Sequence, residues 1–140
     1  MLSNNVIKLL NDQMNLEFYS SNLYLQMSAW CEQQGFEGAA KFLSAHAAEE
    51  MQHMRKLFTY LNETGALAVI TQIDEPPHQF KSLKEVLELT YQHEKSKLGY
   101  TGKEIGELLK RKTTLHSTSY NGMLQNNMKK KNYSVVFWIN

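Results

Sequence analysis

His46-Ala47-Ala48-Glu49-Glu50-Met51-Gln52-His53-Met54 is the stretch on which the reading of this chain turns. Residues three apart on an α-helix share a face, so Glu50 and His53 can present a carboxylate oxygen and an imidazole nitrogen to one ion. Glu49 lies about 100° round the helix from Glu50 and serves a neighbouring position instead. The stretch sits in a segment from about Phe36 to Glu63 whose apolar residues Ala40, Leu43, Ala47, Met54, Leu57 and Leu61 recur at helical spacing. Gly65 follows in a position suited to a helix C-cap. Taken alone, Glu-x-x-His on a helix is usually a solvated surface pair. Its meaning depends on what faces it.

Outward in both directions the pattern is helical. From Asn5 to about Gln33, Val6, Leu9, Leu10, Met14, Leu16, Leu23, Met27 and Trp30 recur at helical spacing without Pro or Gly, and Gly35 then breaks the run. These two segments predict a long antiparallel hairpin. Gly65 to Lys81 holds both prolines, Pro76 and Pro77, and a β-favouring run from Leu67 to Ile73, so it reads as an extended connection long enough to cross a bundle. Ser82, with Glu85 three residues on, has capping-box spacing and opens a third helix through Val86, Leu87, Leu89, Thr90 and Glu94. The fold class is all-α, a four-helix bundle with a long crossover between the second and third helices and its fourth helix degraded or missing.

A chain of 140 residues with 42% hydrophobic content forms one domain, residues 1–140, able to bury a core without staples. Cys31 is the single cysteine, which excludes a disulfide framework within the chain. No charged leader precedes an apolar core and no apolar run approaches about 18 residues, so neither a signal peptide nor a membrane span is expected and the location reads as cytoplasmic. The net charge of +1 hides a basic end, Lys110, Arg111, Lys112 and Lys129 to Lys131. Such a tail ordinarily suggests nucleic acid or an acidic partner.

Glu17 on the first helix and Glu94 on the third complete a ligand inventory with Glu49, Glu50 and His53. Glutamates from several helices together with Glu-x-x-His are what a carboxylate-bridged di-iron bundle requires. Glu17 can complete one iron site with Glu50 and His53, while Glu94 can reach a second iron bridged by Glu50. Hard carboxylates with one histidine favour iron or manganese over thiolate-seeking metals and leave positions open for dioxygen.

Leu10 to Cys31 (Leu-Asn-Asp-Gln-Met-Asn-Leu-Glu-Phe-Tyr-Ser-Ser-Asn-Leu-Tyr-Leu-Gln-Met-Ser-Ala-Trp-Cys), Gly35 to Ala40, and His46 to Met54 closely resemble bacterial non-haem ferritin. The resemblance runs from Met1 to about Lys95 without a gap. It implies a ferroxidase centre in which Glu17, Glu50 and His53 form the first iron site, Glu94 is a second-site ligand, and Glu49 belongs to a third site. It makes Tyr24 the tyrosine that lends an electron during oxidation; on the residues alone Tyr24 is an ordinary core tyrosine. It further implies a homo-oligomeric shell of twenty-four subunits in which Fe(II) is oxidised by dioxygen or hydrogen peroxide and stored as a ferric mineral, with no nucleic-acid or membrane partner.

Beyond Lys95 the resemblance fails. Family members carry a fourth helix of the type Phe-Asn-Phe-Leu-Gln-Trp-Tyr-Val-Ala-Glu-Gln-His-Glu-Glu-Glu-Lys-Leu-Phe, which supplies the remaining carboxylates. One possible coding of that peptide, translated after loss of its first nucleotide, gives Ser-Thr-Ser-Tyr-Asn-Gly-Met-Leu-Gln-Asn-Asn-Met-Lys-Lys-Lys-Asn-Tyr-Ser, which is Ser117 to Ser134 residue for residue. Residues 112–134 therefore read as out of frame, residues 96–111 as transitional, and Lys129 to Lys131 as a displaced glutamate run without a function of their own. The chain as written is expected to bind one iron weakly and to oxidise iron pairs poorly.

Three other readings stay open on the residues. The chain can be a decayed, inactive ferritin fragment. It can be a haem-containing bacterioferritin, with Met51 next to Glu50 as the haem ligand, although the surrounding motif favours the non-haem branch. A basic-tailed interaction protein is the third, and it needs the tail to be real. A di-iron oxygenase is disfavoured because no second Glu-x-x-His motif falls in a helix-patterned segment; Glu75-Pro76-Pro77-His78 lies in the proline-bearing connection.

Overall fold

The computed structural model describes the backbone of residues 2–111 and the side chains of residues 2–97. Three helices follow in chain order, α1 Asn4–Gln33, α2 Glu37–Glu63 and α3 Leu83–Arg111. Among the described residues there is no strand, as the all-α reading requires, and the first two helices begin within one residue of their expected bounds. Residues 112–140, which include the segment read as out of frame and as a degraded fourth helix, lie outside the described residues. The chain divides into two compact units, Met1–Leu87 and Glu88–Asn140. The first holds α1, α2, the connection and the opening turn of α3; the described part of the second is the rest of α3.

Both helix ends of the hairpin unit close in the same way. Gly35 (φ 82°) and Gly65 (φ 78°) occupy the left-handed region. In each case the glycine N–H donates to the carbonyl two positions from the helix end, Gly35 to Glu32 and Gly65 to Asn62. The next residue donates to the carbonyl three positions in, Phe36 to Cys31 at 2.8 Å and Ala66 to Leu61 at 3.0 Å. This double pairing is the Schellman motif, which satisfies carbonyls that a helix end would otherwise leave bare. It turns the chain sharply at Gly35 and sets α2 antiparallel to α1.

Small residues line the seam between the two helices. Ser21 donates its hydroxyl to the Ala47 carbonyl at 2.8 Å, and Ser28 donates to the Ala40 carbonyl at 2.7 Å. Both buried hydroxyls are thus satisfied by carbonyls of the facing helix. Around the seam Leu23, Tyr24, Met27, Cys31, Ala39, Ala40, Leu43, Ala47 and Val86 form one apolar cluster. Trp30 closes its end, stacked on Phe36 at 6.1 Å between ring centroids and edge-on to Phe80 at 5.7 Å.

The extended connection does not drift free. Asn11 donates to the Leu67 carbonyl at 3.2 Å and accepts from the Val69 N–H at 2.7 Å. One turn on, Asn15 donates to the Val69 carbonyl at 2.9 Å and accepts from the Thr71 N–H at 2.9 Å. Each asparagine amide turns one donor and its acceptor to the connection, as a peptide unit would, so two side chains on α1 take the part of a neighbouring strand. Ser82 then caps α3 by accepting from the Glu85 N–H at 3.1 Å. The Glu85 carboxylate accepts from the Lys81 N–H, one residue earlier than in a standard capping box.

Candidate metal centre

Three ionisable residues occupy core positions of the hairpin. Buried positions on α2 run Ala39, Ala40, Leu43, Ala47, Glu50, His53, Met54, Leu57 and Leu61, so Glu50 and His53 fall within the apolar stripe. On α1, Glu17 is buried between Met14 and Leu23 in the same way. A charge at a core position is costly unless it is paired, hydrogen-bonded or metal-bound. Here the three come together. Ligand atoms of Glu17, Glu50 and His53 all lie within 4.8 Å of one another.

The geometry centres on His53 Nδ1, which stands 3.3 Å from Glu50 Oε2 and 3.9 Å from Glu17 Oε2. Gln13, one turn before Glu17, donates its amide N–H to Glu17 Oε1 at 2.7 Å. That bond ties down one carboxylate oxygen and leaves the other toward the histidine. Burial pushes the His53 imidazole toward lower pKa, but hydrogen bonds and charge from Glu17 and Glu50 outweigh it and raise the group to about 9. At neutral pH the metal-free cluster therefore holds an imidazolium between two carboxylates. Two carboxylate oxygens and one nitrogen at these separations suit a divalent ion with bonds of about 2.0–2.2 Å after small side-chain rotations. Cys31 offers no competing thiolate, since it is fully buried and burial raises its pKa.

Each of the other expected residues has surroundings of its own. Glu49 has a half-exposed carboxylate 4.0 Å from His46 Nδ1. Tyr24 is buried two turns beyond Glu17, its ring 4.9 Å from the His46 ring. Glu94 lies on α3 in the second unit, buried, with Oε1 4.0 Å from Lys97 Nζ. Met51 is half-buried. Three neighbours went unread in the sequence. Gln13 is four residues before Glu17 on its buried face, a spacing that signals contact. His46 is four residues before Glu50, places Nε2 3.9 Å from Glu50 Oε1, and stacks on Phe42 at 5.7 Å. Lys97 follows Glu94 by three residues, and nothing local marks it as buried.

No helix among the described residues is long and apolar enough to cross a membrane. The chain is 83% identical over 95 residues to a probable bacterial non-heme ferritin-like protein of Haemophilus influenzae, a match spanning 68% of this chain and 58% of that protein. It is 52% identical over 94 residues to a bacterial non-heme ferritin of Campylobacter jejuni, spanning 67% and 56%. The chain thus spans little more than half the length of these curated relatives. Among solved structures, Chlorobium tepidum ferritin superposes with a TM-score of 0.77 at 38% identity, over 98% of this chain and 82% of that one. A ferritin-like domain model matches residues 7–131, and with the fold and the relatives in agreement the chain belongs to the ferritin family.

Proposed function

We propose that the chain serves iron storage and that iron is its substrate, taken up as Fe(II) by Glu17, Glu50 and His53. The observation that carries this reading is the convergence of two buried carboxylates and a buried imidazole within 4.8 Å at core positions where apolar side chains would otherwise sit. Binding replaces the His53 proton by a metal ion, and the paired carboxylates stabilise the extra positive charge that accompanies oxidation. Gln13 holds Glu17 in place throughout. The finer assignment, ferroxidase chemistry with Glu94 and Glu49 at further iron positions and Tyr24 as electron donor, rests on the family resemblance. Each Fe(II) gives up one electron; two reduce dioxygen to hydrogen peroxide with two protons, or hydrogen peroxide to water. Assembly into a shell of twenty-four subunits and a cytoplasmic setting belong to the same proposal.

For the chain as written, activity is impaired, because the glutamates that family members carry on the fourth helix are read in another frame. The test is aerobic oxidation of Fe(II) followed by ferric absorbance, comparing the 140-residue chain, its Glu50→Gln variant and a chain with residues 112–134 restored to the family frame. Slow oxidation by the first, none above background by the second and fast oxidation by the third are expected. Equal rates for the first two would overturn the assignment of the site.

A further inference from the structure

The connection between α2 and α3 turns one edge to α1 and the other away from it. In an extended chain the N–H and C=O of a residue point to one side, and the sides alternate along the strand. Leu67, Val69 and Thr71 give theirs to Asn11 and Asn15. Ala68, Ile70 and Gln72 therefore turn theirs outward, where no hydrogen bond meets them among the described residues. Leu67, Val69 and Ile70 are exposed, and from Ala66 to Ile73 no charge, proline or glycine blunts the edge. An apolar edge of this kind is a template for another strand.

The same sequence contains a strand that fits it. Tyr133-Ser134-Val135-Val136-Phe137-Trp138-Ile139 carries no charge, proline or glycine, and every residue but the serine is β-branched or aromatic. It follows residue 131, where the match to the ferritin-like domain model ends, and lies outside the described residues. Laid antiparallel on the edge, with Tyr133 opposite Ile73 and Ile139 opposite Leu67, it sets Val136 opposite Ile70. The same register brings Lys130 and Lys131 against Asp74 and Glu75, both exposed. Pairing the connection with its own counterpart, Ile70 opposite Ile70, brings those acids to Ala66 and Gly65 and gains no opposite charge.

We propose that residues 133–139 of one copy of the chain add as an antiparallel strand to the outer edge of residues 67–73 in a second copy. Main-chain hydrogen bonds to Ala68, Ile70 and Gln72 hold the strand, its side chains cover the exposed apolar ones, and the lysine–carboxylate contacts fix direction and register. Each copy carries one edge and one segment, so docking runs head to tail and every step leaves an edge and a segment free. The product is an open series of copies rather than a closed assembly. It forms whether or not iron is bound.

Full-length chains carrying Ile70→Cys and Val136→Cys, mixed in equal amounts in a glutathione buffer, test this by the disulfides that mass spectrometry identifies. Directly opposed residues of an antiparallel pair have Cα atoms about 5.5 Å apart, within disulfide reach, and Cys31 is fully buried. The 70–136 bond is expected to exceed the 70–70 and 136–136 bonds by about ten-fold, since a buried face specifies register. A predominant 70–70 bond gives the edge to its own counterpart and overturns the proposal, as does a statistical mixture. A bond that forms only when both cysteines stand in one chain overturns it too. Hydrogen exchange of the wild type should show the Ala68, Ile70 and Gln72 amides slowed as protein concentration rises. Val136→Pro, which removes a donor from the added strand without touching the three helices, should return them to the open rate; protection unchanged in that variant contradicts the assignment.

Discussion

His53 concentrates the chemistry of the site into one titration. Its pKa of about 9 in the folded chain lies above the ordinary value of 6.5, so an ion binding at neutral pH must release a proton. Apparent affinity for cobalt(II) should rise about ten-fold per pH unit and flatten near pH 9. Calorimetry in two buffers of different ionisation enthalpy should detect close to one proton released per ion at pH 7. The same shift stabilises the metal-free fold. Because the folded pKa is raised, that stabilisation is fully present below about pH 6.5 and is lost as pH rises through about 9. The urea midpoint of the metal-free chain should therefore fall between pH 7 and 9.5, while that of the cobalt-loaded chain holds. A neighbour tunes the same centre: Gln13→Leu releases Glu17 Oε1 and should weaken ion binding ten- to a hundred-fold, as losses around metal ligands commonly do. Glu50 and His53 were legible in the sequence through their three-residue spacing on a helix, and Glu17 through the ligand inventory of a di-iron bundle and the family resemblance. Lys97 was not, since a lysine at helical spacing ordinarily marks a solvated face.

At the level of elements, the punctuation was legible and the long-range ties were not. Gly35, Gly65 and Ser82 announce their helix ends through local backbone chemistry, and the structure uses all three. Gly35→Ala meets no clash within 4 Å but must adopt φ near 82°, which should cost about 1 kcal/mol in a denaturation experiment. Asn11 and Asn15 carried no local signal, because their partners lie 54 to 58 residues away. Each asparagine makes two exposed hydrogen bonds to the connection, and the net value of each bond is about 0.5–1.5 kcal/mol. The pair Asn11→Ala and Asn15→Ala should therefore lower stability by about 2 kcal/mol and open residues 67–71 to protease. Cleavage unchanged from wild type would show that the connection is held by other contacts.

For the whole molecule, the proposed division between a ferritin-like stretch and an out-of-frame end sets the expected behaviour. Apolar side chains at the surface include Leu25, Phe58, Leu67, Val69 and Ile70, with Leu67 75% exposed. Exposed apolar groups of this size call for a partner or invite aggregation, and on the proposed out-of-frame reading of residues 112–134 the fourth-helix sequence of family members is not there to cover them. Expressed as written, the chain should sediment as heterogeneous aggregate, whereas restoring residues 112–134 to the family frame should give a single large species. A homogeneous assembly of the 140-residue chain would show that the in-frame part suffices.

Iron held by Glu17, Glu50 and His53 is the proposal on which the functional reading depends. X-ray absorption at the iron edge, on the chain loaded anaerobically with one equivalent of Fe(II), tests it in whatever state of assembly the protein adopts. The expected spectrum is a shell of oxygen ligands with one imidazole, the imidazole's outer-shell scattering disappearing in His53→Ala and the bound iron dropping in Glu50→Gln. An iron spectrum and content identical in the wild type and both variants would contradict it.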